Sequence, residues 1–112
     1  EEDTYPWLKE LKSFLKDALD SNIPILGLCL GAQILADIIG GETYRGDKGS
    51  EFGYYPIDYT TDGYKDQFCT YIREMGIDKT MPYTHGDTFS LPKSGYYKTK
   101  SGKTLDVKLM AK

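Results

Sequence analysis

Cys29 sits in the stretch Gly27-Leu28-Cys29-Leu30-Gly31-Ala32-Gln33, with one glycine two residues before it and another two residues after. That framing suits a nucleophile elbow, in which a side chain is presented at a sharp strand-to-helix turn, held in a strained conformation with small residues on either side. A thiol at a helix N-terminus faces unpaired N–H groups and the positive end of the helix dipole, which favour the reactive thiolate. The chemistry would be attack on a carbonyl carbon, with the N–H of Leu30 facing the oxyanion of the tetrahedral intermediate. The plainer reading is a small cysteine packed between strand and helix, since free cysteine is often buried for packing alone. Gln33 favours the reactive reading, because it lies four residues after Cys29, on the helix face that looks back toward the thiol.

The elements that must hold this turn are legible on both sides of it. Pro6 suits a first helical turn, where its missing N–H costs nothing, and Asp3 or Thr4 is placed to cap it. Leu8, Leu11, Phe14, Leu15, Ala18 and Leu19 then recur at helical spacing among Lys9, Lys12, Lys16 and Asp17, so one stripe of this helix is expected to be buried. Residues 23–28 form a continuous apolar run, the pattern of a strand covered on both faces, with Cys29 at its C-terminal end. Residues 30–39 are apolar around much of a helix and are stopped by Gly40-Gly41. Helix, buried strand, helix predicts an α/β parallel sheet with 23–28 as a central strand. Further on, 52–59 reads as an aromatic strand, 64–75 as a helix with Phe68, Ile72 and Met75 inward, and 81–85 as a short strand. Residues 96–99 and 104–110 flank Lys100-Ser101-Gly102-Lys103, a hairpin turn.

Other residues weigh less. Cys69 has no glycine frame and reads as packing. Two cysteines and one histidine without short spacing give no metal site, and no cofactor is implied. Residues 42–51, with Arg45, Asp47, Lys48 and several glycines, read as a solvated loop with a lesser reading as an acceptor contact. The 10 tyrosines suit half-buried strand rings with wet hydroxyls, ahead of a partner surface. A net charge of −3 argues against a nucleic-acid partner, and the longest apolar run is too short to span a bilayer, so no membrane association is expected. Two cysteines do not make a disulfide framework, which makes a reducing, cytoplasmic setting the default. The 112 residues suit a single domain, and both ends read as cuts through a larger one.

Four blocks together resemble the class I glutamine amidotransferases, in particular the GMP-synthase-like members. Pro24 through Gln33, followed by Ala36-Asp37 and Gly40-Gly41, resembles the family's nucleophile motif. Glu2-Asp3 and Tyr5-Pro6-Trp7-Leu8 resemble the segment after its oxyanion-loop glycines. Ser50-Glu51-Phe52-Gly53-Tyr54-Tyr55-Pro56-Ile57 resembles its E-I-G-W-F-P-V strand, with Phe52 and its aromatic neighbours as variants, and Thr84 through Pro92 matches H-G-D-x-F-x-L-P. The resemblance covers most of residues 1–92, and 96–104 matches poorly.

It implies an incomplete three-layer, flavodoxin-like parallel-sheet fold over 1–112. It also implies a reaction in which Cys29 attacks the side-chain amide of glutamine, releases ammonia for an acceptor such as a synthetase domain or subunit, and leaves a glutamyl thioester for water to hydrolyse. Gln33, and the backbone around Gly86 and Asp87, would contact the glutamine. His85-Gly86-Asp87 has the spacing of a His-x-acid pair, yet the family's catalytic His-x-Glu lies on a later strand, so the resemblance gives this segment to the substrate pocket. Asp87-Thr88 also admits a plain turn role. The expectation is a chain that holds the nucleophile without its base. A γ-glutamyl hydrolase of the same fold, or a non-catalytic binding module, is the alternative.

Overall fold

The structure is a computed structural model, and it describes residues 4–47, 49–76 and 80–111. The expectations for Asp3 as a cap and for Lys48 in the loop therefore lie outside the described residues. Two compact units are present, one drawn from Glu1–Tyr44 and Thr88–Val107, the other from Arg45–Asp87 and Lys108–Lys112.

In the first unit, helix α1 spans Pro6–Asp20, with Tyr5 rather than Thr4 at its N-cap and no side-chain cap. Proline within the first turn starts it, because its fixed φ is already helical. Helix α2 spans Leu30–Ile38 and ends where Gly40 takes φ 92°, with the Gly41 N–H bonding the Ala36 carbonyl at 2.8 Å. Leu19 of α1 packs with Ile38 and Ile39 of the α2 end, and Leu15, Ile25, Leu35, Leu91, Tyr97, Leu105 and Val107 close round them. Lys12 and Asp37 join the two helices by an ion pair of 2.6 Å. Phe14 departs from the expected stripe: it is 68% exposed and lines a shallow depression with Lys9, Glu10, Ser13 and Asp17. The buried stripe is thus narrower than the apolar pattern, bounded by Leu8 and Leu19.

Strand β1 (Glu42–Arg45) pairs with β4 (Asp87–Ser90), where the sequence suggested a loop from residue 42. A Cβ on Gly41 would lie 2.1 Å from the Ser90 carbonyl oxygen, so only glycine lets the backbones pass there. Strands β5 (Tyr96–Lys98) and β6 (Thr104–Asp106) form the expected hairpin, antiparallel with Tyr97 opposite Leu105. Buried Thr99 organises its turn: its N–H donates to the Lys103 carbonyl at 2.8 Å and its hydroxyl accepts from the Lys103 N–H at 3.0 Å.

The expected central strand is the main correction. Residues 23–28 join no strand pair among the described residues, and Ile23, Leu26 and Leu28 are each more than half exposed. A parallel strand exists only through hydrogen bonds to neighbours, and an apolar run cannot supply them by itself. The described strands pair two by two, without a ladder alongside 23–28.

In the second unit, β2 (Glu51–Tyr55) pairs antiparallel with β3 (Met81–His85), ending short of the expected residue 59. The expected helix over 64–75 is two: α3 (Thr61–Lys65) and α4 (Gln67–Glu74). Asp66 divides them, since its extended backbone (φ −75°, ψ 133°) breaks the helix while its carboxylate caps α4 through the Cys69 N–H at 2.9 Å. The break turns Cys69 inward and leaves Phe68 and Met75 about half exposed, against the expected inward face. Arg73 stacks over Tyr59 and Tyr64, with its guanidinium carbon 5.5 and 4.4 Å from the ring centroids. Thr60 caps α3 and donates to the Leu109 carbonyl, tying residues 108–111 into this unit. Many tyrosine rings are more exposed than strand packing predicts, Tyr54 reaching 76%. No helix among the described residues is long and apolar enough to cross a membrane.

Candidate active site

Cys29 stands at a sharp turn into α2, and the segment entering that turn is not in a sheet. Cys29 stands immediately before α2 with φ 53° and ψ −120°, one of two non-glycine residues at positive φ among those described. Such a conformation costs on the order of 1–3 kcal/mol and persists only where the surroundings enforce it. Three main-chain contacts do so: the Cys29 carbonyl accepts from the N–H groups of Ala32 (3.0 Å) and Gln33 (3.2 Å), and the Leu28 carbonyl from Gly31 (2.9 Å). A Cβ on Gly27 would stand 2.8 Å from the Ala32 Cα, so the incoming chain lies against the first helical turn. Gly31 is different, because a Cβ there would meet nothing within 4 Å. The expected crowding therefore falls on Gly27 alone.

The result is an exposed thiol at the head of a helix. The Leu30 N–H opens α2, where no intrahelical acceptor exists for it, so it is available to an oxygen outside the helix. Gln33 lies one turn on and is half-buried; its main-chain carbonyl accepts from the Thr43 hydroxyl at 3.3 Å, which ties α2 to β1. Cys69 contrasts with Cys29 on each point. It is 6% exposed, and burial pushes its thiol pKa up, with the Asp66 carboxylate adding to the rise and Arg73 opposing it.

His85, Gly86 and Asp87 belong to the second unit by their contacts. Glu51 and His85 are directly opposed in the β2–β3 register. The His85 Nε2 lies 3.2 Å from a Glu51 carboxylate oxygen, and its Nδ1 lies 3.0 Å from the main-chain carbonyl of Asp87. The acidic partner of the ring is thus Glu51, across the strand pair, rather than the Asp87 suggested by sequence spacing. Tyr83 packs against the ring at 5.4 Å between centroids, and its own hydroxyl is pushed to a higher pKa by burial, then by Glu51 and Asp58. The Gly86 carbonyl accepts from the Gly46 N–H at 2.9 Å, and a Cβ on Gly86 would lie 3.0 Å from the Ser50 hydroxyl oxygen. The sequence placed Ser50 and Glu51 in a family strand block and at the end of a solvated stretch, without linking them to His85 and Gly86; the pairing of β2 with β3 sets Glu51 opposite His85. Among the described residues no group of three or more His, Cys, Asp or Glu could hold a metal ion.

Residues 3–101 match the family described as glutamine amidotransferase class-I. The chain is similar to the glutamine-hydrolysing GMP synthase of Lacticaseibacillus casei, 32% identical over 84 residues, which is 75% of this chain and 15% of that protein. It is similar to one subunit of the glutamine-hydrolysing GMP synthase of Natronomonas pharaonis, 28% identical over 93 residues, covering 83% of this chain and 47% of that one. Among solved structures it is similar to a glutamine amidotransferase from Thermotoga maritima, with a TM-score of 0.68 and 32% identity over 95% of this chain and 46% of that chain. The chain spans less than half the length of each of these proteins.

Proposed function

We propose, because this chain belongs to the class I glutamine amidotransferase family and carries that α/β fold in incomplete form, that it serves the glutaminase half-reaction with Cys29 as nucleophile. The Cys29 thiolate attacks the side-chain amide carbon of glutamine, and the Leu30 N–H receives the oxyanion. Collapse of the intermediate breaks the C–N bond, ammonia leaves with a proton, and the glutamyl thioester that remains is hydrolysed to glutamate and free thiol. Gln33, Gly86 and Asp87 hold the glutamine in this reading. The observation that carries it is the strained backbone of Cys29, exposed at the head of α2, since strain of this kind is maintained at functional turns.

The leaving ammonia needs a proton donor, and we do not give that role to His85. Both of its ring nitrogens already face protein oxygens, and the 112 residues contain no other histidine. This chain alone is therefore proposed to lack useful turnover. By analogy with the GMP synthase relatives, its ammonia is destined for a synthetase domain or a separate synthetase subunit, in a reducing, cytoplasmic setting that suits two free cysteines.

The test is a glutamine-analogue diazo-ketone followed by peptide mapping. The expected product is an adduct on Cys29 that excess glutamine suppresses and that Cys29→Ala abolishes. Labelling that glutamine does not suppress would favour a binding module of another kind. Steady ammonia release from glutamine, lost in Cys29→Ala, would return His85 to candidacy as the base.

A further inference from the structure

His85 lies between two oxygens, the Glu51 carboxylate at Nε2 (3.2 Å) and the Asp87 carbonyl at Nδ1 (3.0 Å). Both oxygens are acceptors, so the ring makes both contacts when each nitrogen carries a hydrogen; held at Nε2, it presents the Nδ1–H in a fixed direction, and that group's partner inherits the orientation. Here the partner is the peptide that closes the Gly86–Asp87 segment. The ring has little freedom to turn: Tyr83 packs against it, and the β2–β3 register sets Glu51 directly opposite. The Gly86 carbonyl is held in its turn by the Gly46 N–H at 2.9 Å.

We propose that His85 is a positioning residue: braced by Glu51, it orients the Asp87 carbonyl and so sets the main-chain geometry with which Gly86 and Asp87 meet glutamine. The proposal rests on the functional reading above, which assigns those two residues to the substrate. It gives the lone histidine a purpose other than that of base, and it gives Glu51 a purpose that its place in the sequence does not reveal.

The experiment is a glutamine titration of the chain, followed by NMR at the Gly86 and Asp87 amides, with thermal melting of each variant alongside. His85→Ala is expected to weaken glutamine binding by about two- to tenfold, the effect of one hydrogen bond. His85→Asn, which keeps an N–H near the Nδ1 position, is expected to recover most of the loss. Glu51→Ala is expected to weaken binding to a similar degree, and the double variant no further, because the two residues act through one peptide. Variants that melt earlier yet bind glutamine as the parent does would overturn the positioning role and leave the glutaminase reading intact. A parent chain that binds no glutamine would overturn both. If His85→Ala does not fold, Glu51→Ala and His85→Asn decide: equal losses in these two would refute the Asp87 contact as the operative one.

Discussion

A Cβ placed on Gly27 would stand 2.8 Å from the Cα of Ala32, so the chain entering Cys29 lies in contact with the first turn of the helix leaving it. The turn is closed by backbone on backbone, and neither side can yield as a flexible side chain would. Gly27→Ala is therefore expected to cost about 1–3 kcal/mol, the usual range for overpacking. Gly31→Ala should be neutral or stabilising by about 0.5–1 kcal/mol, because the site is open and alanine is the better helix former. Urea midpoints of the two variants give the comparison, and a larger loss at Gly31 would refute this account of the turn.

Cys29 is expected to outpace Cys69 in alkylation by about tenfold or more near neutral pH. Cys29 is exposed, whereas Cys69 is buried and its thiol is held toward the protonated form. In denaturant both should approach a common rate, as thiols revert to a pKa of about 8.5. Mapping of iodoacetamide-modified peptides reads the ratio directly, and preferential labelling of Cys69 in the folded chain would count against the buried position assigned to it.

Alkaline pH should weaken the fold. Burial raises the pKa values of Cys69 and Tyr83 above those of the unfolded chain, with Asp66 adding to the rise at Cys69 and Glu51 and Asp58 at Tyr83. Raised values in the folded state mean that the native chain holds protons the unfolded chain has lost. The stability from these groups is then fully present below their unfolded pKa values and falls as pH rises through the folded ones. Urea midpoints should be flat from pH 7 to about 8 and decline above about 9. Cys69→Ala should remove the earlier part of the decline, at the cost of a small cavity. A midpoint that rises with pH in that range would contradict the sign.

Residues 23–28 should promote self-association. Leu26 and Leu28 are 53% and 71% exposed, and the segment joins no strand pair among the described residues. An exposed apolar segment outside any strand pair offers surface, and room for strand pairing, to another copy. Sedimentation velocity at rising concentration should show growing species, and Leu26→Lys should reduce them. A monomer throughout, with Leu26→Lys unchanged, would refute the idea.

What the sequence determined by itself is local. The glycine frame around Cys29, the helix stop at Gly40-Gly41, the start of α1 at Pro6 and the hairpin around Lys100-Ser101-Gly102-Lys103 all depend on backbone conformations that a few adjacent residues dictate. The family blocks, too, are linear patterns, and they sufficed to identify the family. Tertiary structure decided the rest, because each remaining point depends on a partner distant in the chain. An apolar run such as 23–28 becomes a strand only when neighbours hydrogen-bond to it. The inward face of α4 depended on where Asp66 broke the helix and what lay beneath Cys69. The His85 ring faces the Glu51 carboxylate because the register of β2 against β3 places residues 34 positions apart face to face. Spacing along the chain cannot encode that register, since it is set by which pairing satisfies the most hydrogen bonds and side-chain contacts at once.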